Sequence, residues 1–122
     1  MWIFIKSAMI GKKTIVYAGY LLEKNGYIDH QYINDMVNII EKNGPYIVVM
    51  PGVALAHARP NGHVYQNSIS LVTFKNGVKF GHSVNDPVRV LLALAAKSDE
   101  EHLKLFQEVA LCLMDRNIYI NI

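Results

Sequence analysis

The chain has 122 residues, a formal net charge of +2 and one cysteine, which fits a single domain able to bury a real hydrophobic core. An apolar fraction of 52% and a charged fraction of 18% exclude an intrinsically disordered chain. Lys and Arg are scattered between acidic residues with no basic stripe, so no nucleic-acid partner is expected. The lone Cys112 excludes an internal disulfide framework and suits a reducing compartment.

The first residues, MWIFIKSAMIGKK, are apolar, but Lys6 interrupts the run and no cleavage pattern follows. A targeting signal would place its positive charge before the apolar core. No stretch approaches the roughly 20 apolar residues that span a bilayer. The expectation is a cytoplasmic protein without direct membrane insertion.

Thr14 to Lys24 has apolar residues at helical spacing (Ile15, Tyr17, Ala18, Leu21, Leu22), stopped by Gly26. Asp29 can cap a second helix with Tyr32, Ile33, Met36, Val37 and Ile40 on one face, ended by Gly44-Pro45. The character then changes. Tyr46 to Met50 is a short β-branched run closed by a Pro51-Gly52 turn, which predicts a buried strand. Asn67 to Phe74 alternates through Ile69, Leu71 and Thr73 as a strand does, and Asn76-Gly77 predicts a hairpin turn into Val78-Lys79-Phe80. Val88 to Ala96 is apolar throughout, and Pro87 before it favours a strand over a buried helix. Ser98 and Glu101 form a capping box opening a helix with Leu103, Phe106, Val109, Ala110 and Leu113 on one face. The tail Asn117 to Ile122 reads as a last edge strand or as the stub of a longer C-terminus. Helices before and after a run of strands predict a layered α/β domain.

The stretch 51–60, PGVALAHARP, is the unusual one. Small apolar residues deliver His57 between two alanines, leaving room for a bulky group at its ring, and Pro60-Asn61-Gly62 turns the chain just beyond. Arg59 supplies a positive charge within reach of an anion. A phosphoryl acceptor needs a neutral imidazole, which the ordinary value near ~6.5 largely provides at cytoplasmic pH. It also needs donors around the ring for the charge spread over the phosphoryl oxygens. Local chemistry alone leaves a buried structural histidine as the competing reading.

Three longer pieces carry a resemblance: AGYLLEKNGYID, then YINDMVNIIEKNGPYIVVMPGVALAHARP, then VKFGHSVNDPVRVLLALAAKSDEEHLKLF. Together they make the chain similar to enzyme IIA domains of the mannitol/fructose type from the phosphoenolpyruvate-dependent sugar phosphotransferase system, most of all the ascorbate-like members. The resemblance runs from about Tyr17 to Asp115. It implies one domain over 1–122, a three-layer α/β/α fold with a mixed sheet flanked by helices, and ends shorter than is usual in the family. It implies that His57 accepts a phosphoryl group from the histidine-containing phosphocarrier protein and passes it to a cysteine of enzyme IIB, with no cofactor. His102, in Glu-Glu-His-Leu, matches a second active-site histidine. Two positions depart from the family pattern. The helix segment Val37–Glu41 lacks the arginine of the mannitol-like branch, and Ala56 stands where a proline usually precedes the active histidine.

Arg59 and His82 are the candidates for phosphoryl-site support, His82 because a histidine is common there in ascorbate-like relatives. Asn85-Asp86-Pro87 is read as turning the chain, His63 as facing solvent, and Cys112 as a buried inert thiol. Val53, Leu55 and Val64 are expected to form an apolar docking rim around His57. Five histidines and one cysteine match no zinc spacing, so no metal is expected. The leading expectation is sugar or sugar-acid uptake. The alternative is a phosphorylation-dependent regulatory module of the same fold, and a homo-oligomer is possible in either case.

Overall fold

The computed structural model describes residues 7–44 and 46–114. Helix α1 spans Ser7–Glu23 and α2 spans His30–Asn43. Strands β1 (Val48–Met50), β2 (Val53–Ala56), β3 (Ser68–Val78) and β4 (Val88–Ala95) follow, and α3 spans Asp99–Leu113. Helix α2 starts where the sequence predicts: the Asp29 carboxylate accepts the Tyr32 N–H at 3.3 Å, satisfying one of the donors left open at a helix start. It ends at Gly44, whose φ of +76° is costly for a residue with a Cβ and whose N–H bonds the Ile40 carbonyl. Pro45, the N-terminal apolar run before Ser7 and the tail Asn117 to Ile122 lie outside the described residues.

The sheet order is β1-β2-β4-β3. Strands β1 and β2 are antiparallel, β2 and β4 parallel, and β4 and β3 antiparallel, so the sheet is mixed. One face packs on α1 and α2: Ile15, Ala18, Ile33 and Met36 meet Ala54, Ala56, Leu91 and Ala93 in one buried cluster. On the other face Leu55 and Leu94 are buried with Val109, backed by Leu105 and Phe106 of α3. Three layers result, as expected.

Two close contacts fix the helical layer. A Cβ at Gly19 of α1 would lie 2.7 Å from Ile33 Cγ1 of α2, so the missing side chain lets the two helices approach. The buried Ser70 hydroxyl of β3 donates to the Ala18 carbonyl at 2.8 Å, tying α1 to the sheet.

Several expectations need correction. No hairpin forms at Asn76-Gly77: both flanks pair with β4, Thr73 opposite Val90 and Val78 opposite Val88, with a register shift between them. The surplus residues make a bulge, which kinks a strand without reversing it. There Gly77 has a φ of +74°, and a Cβ on it would lie 2.9 Å from Pro87. Val53–Ala56, read as a small apolar stretch delivering His57 without a strand assignment, is the strand β2. Helix α1 begins a full two turns before Thr14. On α3, Leu103 is 58% exposed, and Leu105 takes its place against the sheet. Cys112 is exposed, because it lies where α3 leaves the sheet face over Ile69 and Leu71 open.

Candidate active site

His57 follows directly on β2, whose four residues are all buried and pair in register with Val90–Ala93 of the parallel β4. Loops at the carboxyl ends of parallel strands are the usual place for ligands in α/β folds. The position of His57 is held by Tyr32 of α2. Its hydroxyl donates to the Leu94 carbonyl of β4 at 2.6 Å and accepts the Ala58 N–H at 3.1 Å. Burial pushes the Tyr32 phenol up to about 12, with the Ala58 hydrogen bond acting against that shift. One neutral hydroxyl thus pins the residue after His57 to the neighbouring strand.

Helix α3 delivers the second histidine. Ser98 caps it as the sequence predicts, its Oγ accepting the Glu101 N–H at 3.1 Å, while the Glu101 carboxylate accepts from the Ser98 hydroxyl at 3.3 Å and not from its backbone N–H. The cap sets the helix phase so that His102 faces the cleft, its ring centroid 5.1 Å from that of His57. One turn on, Phe106 stands edge-on to His57 at 6.1 Å. From the turn after α2, Tyr46 does the same at 6.3 Å with rings 84° apart. A cleft of about 330 Å³ opens here, lined by Ile39, Asn43, Tyr46, His57, Arg59 and His102 among others.

The His57 ring is oriented by its own strand. Nδ1 lies 3.2 Å from the Leu55 carbonyl oxygen. A carbonyl can only accept, so Nδ1 carries the proton and Nε2 keeps its lone pair. Burial holds the imidazole below its ordinary value; the Leu55 hydrogen bond opposes this, and His102 adds to it by charge repulsion. A neutral ring with one free nitrogen, beside a cation and a second imidazole, is competent for nucleophilic attack on phosphorus.

Of the residues singled out by sequence, His57, His102 and Arg59 come together in this cleft. His82 does not. It lies in the loop before β4, where its Nδ1 accepts the Val84 and Asn85 N–H groups at 3.2 and 3.0 Å. That loop is tied to the amino end of β2 through Gly52 N–H to the Asn85 carbonyl, at the opposite end of the parallel pair from His57. His82 therefore stands apart from the cleft it was expected to support. Asp86 holds the same loop, its carboxylate accepting the Phe80 and Gly81 N–H groups.

His63 is not free in solvent either: its Nδ1 is 2.8 Å from Asp29 Oδ2. Val53, Leu55 and Val64 are 1%, 2% and 6% exposed, so they form core and not a docking rim; Ile39, Tyr46 and Pro60 border the cleft instead. Sequence reading missed Asn43, Tyr46 and Asp99 as lining residues. Only Asp99 had a usable signal, standing one turn before His102 on the same helix face. Among the described residues no group of three or more His, Cys, Asp or Glu is placed to hold a metal ion. No helix of the described residues is long and apolar enough to cross a membrane.

The family described as "Phosphoenolpyruvate-dependent sugar phosphotransferase system, EIIA 2" matches residues 2–122. The chain belongs to that family. Among EIIA relatives, the ascorbate-specific PTS system EIIA component of Escherichia coli (strain K12) is 37% identical over 82 residues, covering 67% of this chain and 53% of that protein. The protein of the same description from Shigella boydii serotype 4 (strain Sb227) is 35% identical over the same shares. The chain thus spans about half the length of the curated relatives it matches. Among solved EIIA structures, the mannitol-specific cryptic phosphotransferase enzyme IIA CmtB from Escherichia coli superposes with a TM-score of 0.80 at 28% identity, over 95% of this chain and 83% of that one. A putative PTS IIA (PtxA) from Streptococcus mutans gives 0.73 at 35% identity, over 88% and 69%.

Proposed function

We propose that this EIIA domain is a phosphohistidine carrier in the cytoplasm, a phosphotransferase that works through His57 Nε2. The observation that carries the reading is the His57 ring itself, with Nδ1 tethered to the Leu55 carbonyl and the other nitrogen left with its lone pair in a cleft beside His102 and Arg59. In the first step Nε2 attacks the phosphorus carried by the histidine-containing phosphocarrier protein. The N–P bond of the donor breaks as the new N–P bond forms, and the proton stays on His57 Nδ1, hydrogen-bonded to the Leu55 carbonyl. In the second step a cysteine thiolate of enzyme IIB attacks the same phosphorus in line and releases neutral His57. Charge spread over the phosphoryl oxygens in both steps is met by Arg59 and by an N–H of His102.

The ascorbate-specific relatives suggest a sugar acid as the transported substrate, which the membrane component would bind. The test is phosphorylation of the purified protein with labelled phosphoenolpyruvate, enzyme I and the phosphocarrier. Acid-labile label on the wild type, absent from His57→Ala and chased onto enzyme IIB, is expected. No label on the wild type, or label that survives His57→Ala, sinks the proposal.

A further inference from the structure

A phosphoryl group on His57 brings about two negative charges and three acceptor oxygens into the cleft. The charged side chains lining it nearly cancel: Arg59 supplies one cation, and Asp99 on the first turn of α3 supplies one carboxylate. Helix α2 also ends at this cleft with Asn43, and a helix C-terminus carries partial negative charge. Arg59 and His102 alone leave oxygens to be satisfied. Two further donors line the same cleft, the Asn43 carboxamide and the Tyr46 hydroxyl, and neither makes a hydrogen bond among the described residues. The Tyr46 ring stands edge-on to His57, centroids 6.3 Å apart. Partial burial moves the phenol above its ordinary value, so it stays a neutral donor at the pH of the reaction.

We propose that the Tyr46 hydroxyl and the Asn43 carboxamide donate hydrogen bonds to the phosphoryl oxygens on His57, making them catalytic residues of the transfer. The inference rests on the phosphohistidine reading above. Neither group gains or loses a proton: the N–P bond of the donor breaks, the Nε2–P bond forms, and both side chains only stabilise the oxygens as charge shifts among them. They also offset the carboxylate of Asp99 and the end of α2 without adding a charge that would trap the phosphorylated form.

The test is single-turnover transfer from the phosphorylated phosphocarrier to the wild type, Tyr46→Phe, Asn43→Ala and the double variant, over a range of phosphocarrier concentrations. Removing a well-placed transition-state donor costs up to 10²–10³-fold in a closed site; for these solvent-facing groups the expected loss is on the order of 10-fold each in the rate at saturation. Tyr46→Phe keeps the ring against His57, so a purely packing role leaves its rate unchanged. Thermal melting alongside checks that each variant is folded. Wild-type rates at saturation in both single variants overturn the proposal, as does a change confined to the half-saturating concentration, which would mark docking contacts. Failure of the wild type to take up label is a different result and sinks the phosphohistidine reading itself.

Discussion

His57 and His82 sit at opposite ends of the same parallel strand pair, and each ties Nδ1 to the main chain. His57 meets a carbonyl, which can only accept. His82 meets two amide N–H groups, which can only donate. The same side chain is therefore locked in opposite tautomers: His57 keeps a lone pair on Nε2, whereas His82 must carry its proton there. Only the first can attack phosphorus at the outer nitrogen. Cavity size points the other way, since the cleft of about 490 Å³ between β2, β3 and β4, lined by Pro51, Gly52, Lys75 and Arg89, exceeds the one at His57 and contains no histidine. The chemistry of the partner groups, not the volume of the space, is the ground for proposing the cleft at His57.

The sharpest way to break this contrast is to remove each ring in turn. His57→Ala is expected to abolish acid-labile label, to the background of the assay. His82→Ala is expected to be labelled at the wild-type rate. Equal losses in the two variants would mean that the loop before β4 takes part in transfer after all.

Tyr32 gives the next largest effect. Tyr32→Phe leaves the Leu94 carbonyl and the Ala58 N–H without their shared partner in a buried place, at a cost of about 1–3 kcal/mol in urea unfolding. Because Ala58 adjoins His57, the labelling rate should fall as well. A variant with unchanged stability and unchanged labelling would show that β2 alone fixes the His57 end.

The elements that sequence made legible are those with local chemical causes. Asp29 and Gly44 bound α2 through hydrogen bonds within a few residues, and Ser98 with Glu101 opens α3 in the same way. His102 became a candidate only through the family resemblance, yet the Ser98 cap already fixes the helix face that carries it. What stayed hidden depends on partners far along the chain. The bulge in β3 arises where Gly77 meets Pro87, and turn residues alone cannot distinguish a bulge from a hairpin. Tyr32 looked like one more apolar helix position, while its hydroxyl reaches residues 26 and 62 positions away. The exposure of Cys112 and Leu103 reflects how little of the sheet one helix covers, which helical periodicity does not encode.

At the other end of the pair, His82→Ala deletes the acceptor of two amide hydrogen bonds in a half-exposed loop. Water can replace it, so the expected cost is about 1 kcal/mol or less, read as a small drop in melting temperature with labelling intact. A loss of several kcal/mol would mean that the Asn85–Gly52 tie depends on the ring, giving the loop a larger part in holding β2 than the Asp86 carboxylate leaves it.

The smallest effect is in pH, and its sign follows from burial of His57. The folded ring titrates below the ordinary 6.5, so it stays a neutral nucleophile further into acid than a free imidazole does. The acid limb of the labelling rate is thus expected below that value, provided donor phosphorylation is held constant. Stability should follow the same group. Protonation is easier in the unfolded chain, so the contribution of neutral His57 is full above about 6.5 and is lost as pH falls through the folded value. His57→Ala should remove that part of the slope while leaving the contribution of other groups. An NMR titration of His57 with its midpoint at or above 6.5 would contradict both expectations, and would mean that the Leu55 hydrogen bond, which favours the charged ring, outweighs its burial.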